Sequence, residues 1–177
     1  MISRTAGDDF YIFRVWRQVS ISPRTGEPND IVVLDAPDWV NVLAITPQLE
    51  VIMIDQYRHG TGEVGVELPG GMIDKGESPL VAGIRELREE TGYAGDTPLL
   101  LGKVNPNPAF LSNKCYTVLI RDVQRVGEMK LDLGEDIAVR LVPLADVPGQ
   151  IASGEIEHSL VITAFHWLHV AAPELMP

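Results

Sequence analysis

Residues 71–93 read GMIDKGESPLVAGIRELREETGY, and both the fold and the chemistry turn on this run. Ser78 is placed to cap a helix, Pro79 suits its first turn, and Gly92 is placed to end it. Leu80, Ile84, Leu87 and Thr91 fall near one face at helical spacing. On the same helix Glu86 and Glu90 are four apart and lie one above the other, and Glu89 borders their face. Like charges at that spacing destabilise a bare helix by roughly a few tenths of a kcal/mol per pair, so the cluster calls for a cation. Converging oxygen ligands suit magnesium or manganese. The Gly70-Gly71 turn ahead of the helix brings a backbone carbonyl to the same place. Arg85 is one turn from Glu89 and within reach of Glu77, so part of the charge is answered inside the chain. A Glu-rich run alone more often forms a solvated face; the glycine turn and the distant Glu77 argue against that here.

Working outward, residues 10–20 are rich in aromatic and β-branched side chains and read as a strand. A turn follows at 22–26 and a returning strand at 31–34, so 10–36 reads as a hairpin standing before the main body. Residues 39–45 and 51–57 form a second hairpin, and 64–68 a short strand running into Pro69-Gly70-Gly71. Strands are expected at 99–104, 116–122 and 139–142, a polar acidic loop at 127–136, a short helix at 144–153 and a closing helix at 157–170. The sum is α+β, a mixed sheet with helices packed against it in an α/β/α sandwich.

The chain has 177 residues, enough for one well-packed domain, and a net charge of −11. That charge argues against a nucleic-acid partner, which needs a basic face. It leaves room for a small anionic substrate, because bound metal ions reverse the local field. One cysteine, Cys115, permits no intrachain disulfide and fits a reducing compartment. The first residues show no apolar signal core, and no stretch reaches membrane-spanning length, so a cytoplasmic protein without a membrane partner is expected.

Gly71, Glu77 and the run Arg85-Glu86-Leu87-Arg88-Glu89-Glu90-Thr91-Gly92-Tyr93 resemble the Nudix box, with every specified position filled. The resemblance implies metal-dependent hydrolysis of a nucleoside diphosphate linked to another group. It implies metal ligation by Glu86 and Glu90, with Glu89 assisting and the Gly70 carbonyl contributing. It also implies that Arg85 and Glu77 brace the box.

Other stretches resemble the ADP-ribose pyrophosphatase and nucleoside-diphosphate-sugar branch of that family. Gln56-Tyr57-Arg58 followed by Glu67-Leu68-Pro69-Gly70-Gly71 implies that Arg58 contacts the diphosphate, with Glu67 among the substrate-binding residues. Pro108, in Asn107–Asn113, fits a proline that branch carries after the box. The 131–137 stretch LDLGEDI resembles a loop that supplies a catalytic base. Leu133 stands where some relatives have a carboxylate, which leaves Glu135 first, with Asp132 and Asp136 behind it.

The implied organisation is a hairpin extension at 1–36 forming part of a homodimer interface, and a Nudix hydrolase domain at 37–177. Phe10, Tyr11, Phe13 and Trp16 read as core or dimer-interface residues before base-stacking ones. The expected substrate is ADP-ribose or a related nucleoside diphosphate sugar, with magnesium, or manganese, as cofactor. Two alternatives stand beside it. One is a nucleoside triphosphate hydrolase, a branch that usually lacks the N-terminal hairpin and closing helix. The other is a nucleotide-binding domain without turnover, which commonly loses box glutamates that this chain keeps. His59, His158, His166 and His169 show no ligand spacing, and Cys115 reads as a buried apolar residue.

Overall fold

The computed structural model describes residues 1–10 and 12–175. Its strands are β1 (Ser3–Asp9), β2 (Arg14–Ile21), β3 (Pro28–Asp35), β4 (Trp39–Ile45), β5 (Glu50–Arg58), β6 (Glu63–Glu67) and β7 (Gly70–Met72). Helix α1 (Pro79–Thr91) follows, then β8 (Tyr93–Ala94), β9 (Leu99–Val104), β10 (Cys115–Arg121), β11 (Gln124–Arg125) and β12 (Ile137–Pro143). A single 3-10 turn leads into α2 (Val147–Ser153), and α3 (Ser159–Ala171) closes the order.

The main sheet runs β12-β5-β4-β10-β9. β4 and β10 are parallel from Trp39–Cys115 to Ile45–Arg121, while the other pairings are antiparallel, so the sheet is mixed. β4 and β5 read as near-continuous apolar runs because both of their faces are covered. Leu43, Ile45, Val51 and Met53 face α3, where they meet Val161, Ala164, Phe165 and Leu168. Val40, Val42, Ala44 and Ile52 face α1 and meet Ala82 and Leu87. This is the expected α/β/α sandwich.

The fork in the sheet positions the site. β4 and β5 pair only at Ile45–Val51 and then separate. β6 takes over the edge of β5 and β7 the edge of β4. Pro69-Gly70-Gly71 therefore sits in the opening, anchored by the Val42 N–H donating to the Pro69 carbonyl at 2.8 Å.

The N-terminal hairpin is present as β2 and β3, joined through Gly26 at φ +76°. It carries a third strand, β1, which sequence patterning misses. Its sequence SRTAGDD has no apolar alternation, is exposed throughout, and is held by pairing with β2. β2 also starts at Arg14 rather than at Phe10, and ahead of it the Phe10 N–H donates to the Phe13 carbonyl at 2.9 Å. Tyr11 lies outside the described residues. β3 joins the main body where the Leu34 N–H donates to the Phe110 carbonyl at 2.8 Å and the Ser112 N–H to the Leu34 carbonyl at 3.1 Å.

Helix α1 begins and ends where expected. The Ser78 hydroxyl accepts from the Val81 N–H at 3.3 Å, and Gly92 adopts φ +73° with its N–H on the Arg88 carbonyl. One expectation is corrected: Ile84 is exposed, along with Val81. The buried face is instead Ala82, Gly83, Glu86, Leu87, Glu90 and Thr91. Gly83 lies so close to Val118 that a Cβ would stand 3.3 Å from it, and this approach turns the helix so that two glutamates face inward. Replacing Ser78 with Ala should cost about 1 kcal/mol. For a domain of this size that is a fall in melting temperature of roughly 2–4 °C, measurable by thermal unfolding.

Candidate active site

The site is built where α1 meets the Gly70-Gly71 turn. The Gly70 N–H donates to Glu90 Oε2 at 2.8 Å. A Cβ on Gly70 would overlap the Val40 carbonyl, and one on Gly71 would stand 2.5 Å from Glu86 Oε1. Both glycines are thus required by close approach, one to the sheet and one to a carboxylate.

Arg85 organises the other side of the cluster. Its Nε and Nη2 donate to Glu77 at 3.0 and 2.9 Å, and Nη2 also donates to the Met72 carbonyl at 3.0 Å. Its Nη1 donates to Glu86 Oε1 at 2.9 Å and to Glu89 Oε2 at 3.2 Å. The Glu77 carboxyl is held below its ordinary range chiefly by the bond from Arg85. The guanidinium is driven further into its charged form, with Glu77 the largest cause. The brace expected of Glu77 and Arg85 is therefore present as geometry.

Arg58 and Glu67 form a two-point fork, Nε to Oε1 at 2.7 Å and Nη2 to Oε2 at 2.8 Å. Glu67 is only 4 % exposed and has both oxygens on Arg58, so within the chain it serves to hold that guanidinium. Sequence spacing gives His158 no role. In the fold its Nδ1 accepts from the Leu160 N–H at 3.2 Å at the start of α3, and its Nε2 lies 3.9 Å from Glu67 Oε2.

In the 132–136 loop, Glu135 alone is half-buried, whereas Asp132, Leu133 and Asp136 are exposed. The Asp132 N–H donates to Glu135 Oε2 at 2.7 Å. The charge of Glu135 is felt by Arg58, Glu86 and Glu90. Pro108 is exposed in the loop that docks on β3, and no hydrogen bond among the described residues links that loop to the box glutamates. Cys115 is buried, and burial pushes its thiol up to about 12, which leaves it inert as a nucleophile.

Electrostatics show what this arrangement lacks. Burial first, and then the charges of Glu86 and Glu135, push the Glu90 carboxyl up to about 8 against the Gly70 N–H and Arg58. Burial also raises Glu86, with Arg85 opposing it. Two buried carboxylates short of positive charge are a donor set that fits a divalent cation. Among the described residues no three His, Cys, Asp or Glu side chains form a ready-made cage. A divalent cation can also be held by one or two carboxylates together with substrate phosphates. Glu86 and Glu90 would hold it, with Glu89 beside them once released from Arg85.

A stability prediction follows from Glu90. Its folded pKa lies above the unfolded value, so its ionisation penalises folding progressively from about pH 4.5 and fully above about pH 8. In metal-free protein, Glu90→Gln should therefore melt higher than wild type at pH 9 and equally at pH 4. A gain of about 1 kcal/mol reads as roughly 2–4 °C. An unchanged or lower melting temperature at pH 9 would contradict the burial argument.

The profile of the NUDIX domain matches residues 36–165. The chain is 29 % identical over 146 residues to the ADP-ribose pyrophosphatase of Bacillus subtilis, covering 82 % of this chain and 79 % of that protein. It is 40 % identical over 108 residues to the ADP-sugar pyrophosphatase of Mus musculus, covering 60 % of this chain but only 46 % of that protein. A solved structure described as an ADP compounds hydrolase superposes with a TM-score of 0.85 at 21 % identity, over 98 % of this chain and 93 % of the other, which shows a shared fold. With a domain match across most of its length and the box geometry in place, this chain belongs to the NUDIX domain family.

Proposed function

We propose that the chain hydrolyses the diphosphate bond of ADP-ribose or a related nucleoside diphosphate sugar, giving a nucleoside monophosphate and a sugar phosphate. The observation that carries this is the buried pair Glu86 and Glu90 on α1 beside the Gly70-Gly71 turn, whose N–H at Gly70 donates to Glu90, with the Arg58 guanidinium acting on Glu90. The names of the Bacillus subtilis and mouse relatives support the ADP-sugar class.

Glu86 and Glu90, with Glu89 and the Gly70 carbonyl, would hold magnesium or manganese. Such an ion, when bound, supplies positive charge to the diphosphate and lowers the pKa of water. Glu67 accepts two bonds along the Nε–Nη2 edge of the Arg58 guanidinium and leaves Nη1 to orient a phosphate. Glu135 takes the proton of the attacking water as general base. Pro108 stiffens the loop that docks on β3. The exposed Ile21 and Val32, on one face of the N-terminal sheet, support its use as a homodimer surface. No helix among the described residues is long and apolar enough to cross a membrane. The free, buried thiol of Cys115 fits a cytoplasmic location.

A panel of ADP-ribose, UDP-glucose, GDP-mannose and nucleoside triphosphates, with products identified by mass, tests the proposal. ADP-ribose should be cleaved fastest, and only with divalent cation present. Glu86→Gln and Glu90→Gln should each lower kcat by about two to three orders of magnitude. Arg58→Gln should mainly raise KM. Cation-independent cleavage, near wild-type rates in both Gln variants, or a preference for triphosphates would overturn it.

A further inference from the structure

Glu67 holds Arg58, and Glu67 is itself approached by His158, which nothing in the mechanism above uses. Arg58 feels three carboxylates, those of Glu67, Glu90 and Glu135. It stays on Glu67 through the two-point fork only while that carboxylate keeps its orientation. Glu67, at the end of β6, is 4 % exposed. His158 Nε2 comes to 3.9 Å from Glu67 Oε2, the same oxygen that accepts from Arg58 Nη2. The imidazole is delivered from a fixed base. The His158 carbonyl accepts from the Val161 and Ile162 N–H groups at 3.0 and 3.1 Å, and Ile156 and Val161 on either side are buried. The ring is half-buried, and its Nδ1 accepts from the Leu160 N–H at 3.2 Å. An accepting Nδ1 carries no hydrogen, so in the neutral ring the proton is on Nε2, the nitrogen beside Glu67. At 3.9 Å this contact is the attraction of an N–H dipole for a carboxylate rather than a hydrogen bond.

We infer that His158 is a positioning residue for diphosphate binding; this rests on the hydrolase reading above. Its Nδ1 caps α3, and its Nε2–H steadies Glu67. Glu67 in turn keeps Arg58 in the fork, with Nη1 free for a phosphate, instead of letting the guanidinium drift onto Glu90 or Glu135. The cap alone does not call for histidine, since Asn, Asp or Ser serves that position at least as well. What the ring adds is a donor on its far side that reaches toward a carboxylate in another layer of the fold. No bond is made or broken at His158. A loosened Arg58 weakens substrate and transition state alike, so the effect falls on KM and leaves kcat in place.

The test uses the intact protein with ADP-ribose and divalent cation, and compares wild type with His158→Asn and Arg58→Gln, singly and combined. Asn keeps an oxygen for the Leu160 N–H but is too short to approach Glu67, so its melting temperature should stay within about 2 °C of wild type. His158→Asn should raise KM about three- to tenfold and change kcat less than about twofold. In the Arg58→Gln background it should leave KM unchanged, because the arginine that it steadies is gone. His158→Ala, which loses the cap as well, should melt roughly 2–4 °C lower yet raise KM no further than His158→Asn. Nitrogen NMR gives a readout that needs no turnover. The Arg58 Nε–H signal, identified by its loss in Arg58→Gln, should exchange with water several times faster in His158→Asn. An unchanged KM or an unchanged exchange rate would overturn the inference. So would a KM that follows the melting temperature across the two variants, which assigns the effect to the cap. A KM rise that persists in Arg58→Gln would also overturn it, because the ring would then act on substrate directly. Absence of wild-type cleavage of every panel substrate would instead overturn the hydrolase reading, and the exchange rate would still decide whether His158 steadies the fork.

Discussion

The site depends on a balance between one guanidinium and a set of buried carboxylates. Arg85 ties Glu77, the Met72 carbonyl, Glu86 and Glu89 into one assembly, and so holds the start of α1, its middle and β7 together. It leaves Glu90 unanswered except by the Gly70 N–H and a more distant Arg58. These pairs are only partly buried, with 29 % of the Arg85 and 45 % of the Glu89 side chain exposed, so solvent screens them more than it would a buried pair. The protein thus carries a built-in charge deficit at Glu86 and Glu90, which is what a cation site requires before its ion arrives.

The fork between β4 and β5 turns that local balance into a cleft. Because the two strands share only Ile45–Val51, β6 and β7 can thread between them and deliver Glu67, Gly70 and Gly71 to the same opening. Arg58 at the end of β5 clasps Glu67, and Glu135 lies just ahead of β12. The α3 layer supports this arrangement from behind, through Val161, Phe165 and Leu168 against the opposite face of the sheet. His158 at the head of α3 reaches toward Glu67, so the supporting layer also touches the arginine fork.

Much of this is legible in the amino-acid sequence. Ser78, Pro79 and Gly92 mark the helix, since caps act locally, and apolar runs mark the strands. The box glutamates are readable because their spacing and chemistry lie within one helix. The features that escape are set by tertiary contact. Helical spacing puts Ile84 inside, but the close approach of Gly83 to Val118 turns the helix so that Glu86 and Glu90 face inward instead. β1 carries no apolar alternation and exists through its pairing with β2. The engagement of Glu67 with Arg58 arises from cross-strand register that no local pattern announces.

The central claim is that Glu86 and Glu90 form the cation site at which the diphosphate is cleaved. A crystal structure with manganese and a non-hydrolysable ADP-ribose analogue, using anomalous scattering to locate the metal, tests it most directly. The account predicts manganese on the carboxylates of both Glu86 and Glu90, with the analogue's diphosphate against it and against Arg58. Manganese elsewhere, or a diphosphate bound away from Arg58 and the box, would contradict it.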